Sequence, residues 1–379
     1  MKICQSTYRS DAWESIRIDE GFSSEKAQLV IVFGERKLFE QMQVYSKVRE
    51  DFPHAEIVIN STAGEIFNTG VETQTIVVTA LQFENTQIKT TQISISDTSE
   101  SYQAACQLVE ALQADDLVHI MVISDGGVVN GSALVRALNE HTSPHVTVTG
   151  GLAGDDDRFE KTLVGLNAEP SEGKIIGIGF YGSHLRIGHG TMGGWDVFGP
   201  EREITQSQYN VLYSIGGKPA LELYKEYLGK YAKDLPGAAL LFPLSMRVDA
   251  DSAPVVRTIL SIDEKQQSMT FAGEIPKGAL IRFMKANFDN LLDASSEAAE
   301  NALQSLSFKP ELAILISCVG RRLVLGYRTE EELEAAREVF GPDTCITGFY
   351  SYGEISPLMA EAKCDLHNQT MTITTFTEI

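Results

Sequence analysis

One pattern recurs three times along this chain: a run of apolar residues, a short loop of small residues, a stretch with helical periodicity, a second apolar run, and a loop closing on glycine and an acid. The first copy starts at Leu29-Val-Ile-Val-Phe-Gly34, passes a helix between Leu38 and Glu50, and continues with a strand from Ala55 to Asn60 and the loop Ser61-Thr-Ala-Gly-Glu65. The second has Leu117-Val-His-Ile-Met-Val-Ile123, the loop Ser124-Asp-Gly-Gly127, a helix near Ser132 to Glu140, a strand from His145 to Thr149, and Gly150-Gly-Leu-Ala-Gly-Asp155. The third has Leu312-Ala-Ile-Leu-Ile316, the loop Ser317-Cys-Val-Gly-Arg321, a helix near Glu330 to Phe340, a strand from Thr344 to Thr347, and Gly348-Phe-Tyr-Ser-Tyr-Gly-Glu354.

Each copy runs on into an extended segment rich in Thr, Val and Ile: Gln74 to Leu81, Gly173 to Tyr181 and Asn368 to Phe376. A helix between the first two strands of a copy predicts that they lie parallel. The loop after the first strand and the glycine-acid loop after the second then share the carboxyl edge of a sheet, where open α/β sheets place ligands. The expected fold class is α/β, with two domains and mixed sheets built from repeated strand-helix-strand units.

At 379 residues, with 43% hydrophobic residues, the chain is globular and exceeds a usual single core. The domain boundary is placed after Trp195-Asp-Val-Phe-Gly-Pro200, giving 1–200 with repeat units at about 11–95 and 99–192, and 201–379 with the third unit at about 289–379. Beyond the boundary, strands are expected at Tyr209 to Ile215, Ala238 to Met246 and Pro254 to Ile262, with a helix from Pro219 to Tyr231. A net charge of −21 without a basic run argues against nucleic acid and anionic membranes as partners. No apolar run is long enough to span a bilayer, and Met1-Lys-Ile-Cys-Gln-Ser6 lacks the apolar core of a secretory signal, so a cytoplasmic protein is expected. The five cysteines, without CxxC spacing, point to neither a disulfide framework nor a structural zinc site.

Several segments together resemble the FIST family of sensory proteins: Gly348-Phe-Tyr-Ser-Tyr-Gly-Glu-Ile-Ser-Pro357, His367-Asn-Gln-Thr370, Asn210-Val-Leu-Tyr213, Gly217-Lys-Pro-Ala-Leu-Glu-Leu-Tyr224, Phe271-Ala-Gly-Glu-Ile-Pro276 and Gly150-Gly-Leu-Ala-Gly-Asp155. The resemblance implies an amino-terminal and a carboxy-terminal FIST region. It also implies a small-ligand sensor of prokaryotic signal transduction, whose partner is a histidine kinase or a cyclic-di-GMP enzyme. This sequence shows no transmitter, HAMP or diguanylate cyclase segment, so its output is expected to act in trans. One subgroup of the family resembles haem-binding sensors of nitric oxide, which makes haem an expected cofactor. The alternatives are a haem-free sensor of amino-acid-like metabolites and a thiol-dependent enzyme using Cys318.

Glu65, Asp155 and Glu354 are candidate ligand carboxylates; their glycine neighbours, Gly353 among them, serve either a turn or a close backbone approach. Tyr350 and Tyr352 beside Glu354 would suit an ammonium group or a flat cofactor. Arg321, in the loop after a strand, is either a solvated charge or an anion clamp. Ser124 heads an equivalent loop in the second copy. Among seven histidines, His119 reads as a satisfied core residue, while His189, flanked by Gly188 and Gly190 and close to Trp195, is the candidate haem ligand. Cys318, Glu354 and His367 have the residue types of a nucleophile, acid and base, but no nucleophile-elbow or papain-like signature surrounds Cys318, and no catalytic residue is assigned.

Overall fold

The computed structural model describes residues 1–379 except 250, 251, 305–308, 360 and 361. In unit one the chain forms β1 (Lys2–Arg9), β2 (Ala12–Ile18), β3 (Leu29–Gly34), α1 (Arg36–Gln41), α2 (Val44–Asp51), β4 (Glu56–Ser61), β5 (Glu65–Phe67), β6 (Gly70–Glu72) and β7 (Ile76–Gln82). Unit two follows with β8 (Gln87–Ser94), α3 (Ser101–Leu112), β9 (Leu117–Ser124), α4 (Gly131–His141), β10 (Thr147–Leu152), β11 (Val164–Leu166) and β12 (Lys174–Tyr181). Unit three opens with β13 (Leu185–Met192) and is then interrupted by an insert: β14 (Asp196–Gln208), β15 (Val211–Ile215), β16 (Lys218–Pro219), α5 (Ala220–Leu228), β17 (Leu244–Arg247), β18 (Val255–Arg257), β19 (Ile259–Asp263), β20 (Ser268–Phe271) and β21 (Leu280–Lys285). It resumes as α6 (Phe288–Gln304), β22 (Leu312–Cys318), α7 (Val319–Leu325), α8 (Thr329–Phe340), β23 (Cys345–Ser351), β24 (Gly353–Pro357), β25 (Cys364–His367) and β26 (Met371–Glu378).

The parallel pairs expected from the repeat are present as β3 with β4, β9 with β10, and β22 with β23. In each unit the third strand then pairs antiparallel on the other side of the first. Beyond it lies a flanking strand, β1, β8 or β13, also antiparallel. The unit limits therefore fall about one strand earlier than the sequence periodicity places them. β8 belongs to unit two and β13 to unit three, because antiparallel pairing with a distant last strand decides membership. The expected boundary at 200/201 falls inside β14. The strand expected from Ala238 to Met246 is a 3-10 turn over Gly237–Leu241 followed by the short β17.

Each six-stranded sheet is completed by an arm from another unit. β5 and β6 leave unit one and add to β23; β24 and β25 leave unit three and add to β10; β11 leaves unit two and adds to β4. The exchange closes a ring, and the three sheets face a common core that includes Ile31, Val58, Met121, Ile178, Ile314 and Phe349. Equivalent contacts between sheets repeat around it. Thr79 donates to Thr347 at 3.0 Å and Thr374 to Thr149 at 2.9 Å, while the third equivalent pair, Ile178 and Val58, is apolar. The outer faces are covered by α1 and α2, by α3 and α4, and by α6 and α8. The insert has its own core around Tyr224, Phe271 and Phe283, and bulges in β14 let one long strand pair with β21 along its first half and with β15 along its second. Among the described residues no helix is long and apolar enough to cross a membrane.

Candidate functional site

The carboxyl edges of β9 and β22 converge beneath the insert and enclose a cavity of about 580 Å³, within the range of small-molecule sites. Its floor and one wall come from the three-unit body: the loop with Gly126 and Gly127, Asn130 at the start of α4, Cys318 and Gly320 where β22 passes into α7, and Asn368. The opposite wall comes from the insert, with Asn210, Thr258, Leu260, Phe271 and Glu274. One side is aromatic: Tyr352 stacks on Phe159 at 4.6 Å, and its hydroxyl accepts from the Phe159 N–H at 3.1 Å. Three polar contacts that join insert to body involve residues of the cavity lining. The Glu274 N–H donates to Ser132 Oγ at 3.1 Å, Arg257 donates to the Leu366 carbonyl at 2.9 Å, and the Thr258 N–H faces Asn368 Oδ1 at 3.5 Å.

Of the candidate residues, Tyr352 and Cys318 line this cavity and the rest lie elsewhere. Glu65 and Glu354 occupy equivalent places at the roots of two exchanged arms, both buried. Glu65 accepts from Thr62 at 2.5 Å and Thr75 at 2.7 Å, so it ties the end of β4 to the start of β7. Glu354 accepts from Ser351 at 2.6 Å and Thr370 at 2.9 Å, tying β23 to β26 in the same way. A turn at Gly353 would suit a positive φ; the residue is instead an extended part of β24, where a side chain would press on Leu366 and Leu152. In unit two the equivalent acid, Asp155, takes another course. It is buried against Arg36 at 2.8 Å and Arg158 at 2.7 Å, which holds its carboxyl below the usual range against the opposing effect of burial.

Burial pushes the carboxyl of Glu65 up to about 7 and that of Glu354 up to about 8, against an ordinary value of 4.5. The folded state thus holds these protons more tightly than the unfolded chain, and stability falls as pH rises from about 4.5 to about 8. His119 and His367, pushed down by burial to about 3 and about 4, act only below their ordinary value of 6.5. Between pH 6.5 and 8 the two carboxyls therefore dominate, and urea unfolding should show a loss on the order of 2 kcal/mol across that window. The double variant Glu65→Gln with Glu354→Gln should flatten the slope; an unchanged slope would show that the carboxyls are ionised in the fold.

The sequence pattern puts Arg321 in a loop, but β22 runs through Cys318 and α7 begins at once, so Arg321 is a helical residue packed inward. It is fully buried and pairs with Glu332 at 2.8 Å. Its remaining donors go to the carbonyls of Gly193 at 2.6 Å and Leu291 at 2.7 Å. Tyr350 is buried in the same cluster and donates to Glu332 at 2.6 Å. Ser124 is buried at the end of β9, its hydroxyl turned to the Asp125 carbonyl at 3.3 Å.

The room that Gly188 and Gly190 leave is taken by α6, on the face of β13 opposite His189. Gly188 and Gly190 on β13 lie directly against the Ala302 and Ala298 carbonyls of α6, so their missing side chains admit a helix. His189 itself is half-buried near His119, which bonds Thr147 at 2.7 Å and Thr149 at 3.1 Å. The glycines beside His189 therefore seat a helix and open no space for a haem ring. Cys318, Glu354 and His367 come into one region, Glu354 opposite His367 across β24 and β25, but Glu354 bonds Ser351 and Thr370 while His367 bonds the Ser356 carbonyl at 2.9 Å. Burial and the Glu354 carboxylate push the Cys318 thiol well up, away from a reactive thiolate.

The FIST N domain matches residues 28–218 and the FIST C domain residues 220–357. The chain belongs to the FIST family. No curated protein matches it. Among solved structures, a cyanuric acid hydrolase from A. caulinodans is similar over 94% of this chain and 91% of that one, at 9% identity and a TM-score of 0.37. A second cyanuric acid hydrolase is similar over 95% and 93%, at 10% identity and a TM-score of 0.33. So distant a likeness assigns no chemistry to this FIST chain.

The segments that carry the FIST resemblance supply a large part of the cavity: Asn210, Phe271, Gly273, Glu274, Tyr352 and Asn368 all line it. Reading the sequence for charged and nucleophilic residues misses Asn210, Glu274, Thr258 and Phe159. For Asn210 and Glu274 the available signal is membership of those segments; nothing in the sequence marks Thr258 or Phe159.

Proposed function

We propose that this FIST protein is a small-ligand sensor whose ligand binds in the cavity between the three-unit body and the insert. The observation that carries this is the composition of the walls: a molecule held there touches both bodies at once. Occupancy favours the arrangement in which both walls meet the ligand, and it shifts the balance only by the difference in affinity between the two arrangements. The Glu274–Ser132, Arg257–Leu366 and Thr258–Asn368 contacts around the rim are the ones such a shift would remake. The membership of a sensory family supports a signalling readout, and we assign it to a separate signalling enzyme, a histidine kinase or a cyclic-di-GMP enzyme. Haem is not part of this proposal, because His189 does not line the cavity.

Thermal-shift screening of small metabolites should find compounds that raise the melting temperature. A ligand at about 100 times its dissociation constant stabilises the fold by roughly 2.7 kcal/mol. The shift should vanish in Tyr352→Ala, which removes part of the aromatic wall, and weaken in Leu260→Trp, which narrows the mouth from a half-exposed position. Shifts that survive both substitutions would place the ligand outside the cavity.

A further inference from the structure

The cavity's lining also limits the charge of its ligand. Asp97 and Glu274 are the charged side chains that line it, among the described residues, and both are acids. Four amides of the loop between β9 and α4 are already donated inside the protein. The Gly126 N–H goes to Thr162 at 2.9 Å, those of Gly127 and Val128 to Asp125 at 2.7 Å each, and that of Asn130 to Ser101 at 2.9 Å. Neither acid forms a short ion pair among the described residues. Glu274 has long side-chain contacts with Asn130 Nδ2 at 3.4 Å and with the half-exposed Arg136 at 3.7 Å, and the buried Arg257, which donates to its backbone carbonyl at 3.4 Å, lies within electrostatic reach. Asp97 uses one oxygen, Oδ1, to cap Ser99. Between the acids stands Asn130, bonded to Glu274 by its side chain and by its backbone to Ser101, on the turn that Asp97 caps.

The aromatic wall favours a cation with an apolar body. Phe159 and Tyr352 present aromatic surface, and aromatic faces attract ammonium groups. We propose that the cavity takes a small organic ammonium compound, its charge directed to Glu274 and Asp97 and its apolar body against Phe159 and Tyr352. This inference rests on the cavity being the sensory site.

A matched set tests it by calorimetry on the full chain: phenethylamine, phenethyl alcohol and 3-phenylpropionate, which share one body and differ in charge. The amine should bind at least about tenfold more tightly than the alcohol, with the carboxylate weakest. Glu274→Gln should bring the amine down to the affinity of the alcohol, and Asp97→Asn should lower it by a smaller factor, with circular dichroism confirming that both variants are folded. Equal or reversed affinities in the wild type, or an amine preference intact in both variants, would overturn the assignment. If neutral or anionic metabolites bind through Tyr352 while the set shows no amine preference, the charge assignment fails and the sensory site stands. If neither the set nor the wider screen binds, both fail.

Discussion

Arg321→Met should destabilise the protein by about 3–5 kcal/mol, because it strands the Glu332 carboxylate, fully buried, without its cation. Three neutral donors would remain around that charge, from Ser295, Ser317 and Tyr350. Adding Glu332→Gln removes the charge and keeps an acceptor for those hydroxyls. The double variant should then be more stable than Arg321→Met alone, an inversion that urea unfolding of the two proteins would show. If Arg321→Met costs less than about 1 kcal/mol, the pair is hydrated and behaves as a surface bridge. The effect should reach the cavity as well, since Arg321 ties α7, which carries Gly320 in the cavity wall, to Gly193 and to Leu291 of α6.

Gly348→Ala and Gly150→Ala should each cost at least about 3 kcal/mol or abolish soluble protein. The two glycines are equivalent: each lies on the second strand of its unit where an exchanged arm pairs alongside, Gly348 with Ile66 and Gly150 with Ile355. A methyl group there would overlap the carbonyl oxygen of the neighbouring strand, Leu315 in one case and Val122 in the other. Backbone cannot move aside as a flexible side chain can, so the parallel pair itself must open. Gly182→Ala is the control. Gly182 has a φ of +98° and nothing within 4 Å of the place a methyl would take, so only backbone strain of about 1 kcal/mol applies. Similar losses at Gly182 and Gly348 would mean that strain, and not the overlap, sets the cost.

The candidate site was only partly legible. The carboxyl-edge argument located the loops with Gly126, Gly127 and Cys318 correctly, since parallel strands put those loops on one side by geometry alone. It could not tell which acids reach the cavity. Glu354 and Glu274 are both acids beside a glycine, yet one closes a hydrogen-bonded corner between β23 and β26 and the other edges the cavity. The difference lies in partners sixteen residues away for Glu354 (Thr370) and 142 residues away for Glu274 (Ser132), separations at which a sequence pattern carries no information about contact.

By itself the sequence determined the local units: the apolar runs became the first and second strands, parallel in all three copies, and segments rich in Thr, Val and Ile became the third strands. Those features rest on periodicity and on chain reach, which act over a few tens of residues. Tertiary structure alone decided how the units close. The cyclic exchange of β5–β6, β11 and β24–β25, the placing of β13 with β26 across the insert, and the fate of Arg321 as an interior pair all depend on hydrogen bonds and charge contacts between distant segments. A strand edge accepts any partner with open N–H and C=O groups, so pairing order is fixed by which arm the packed core brings alongside. The cavity follows from the same closure, for its two walls belong to bodies that meet only once the ring of units and the insert have formed.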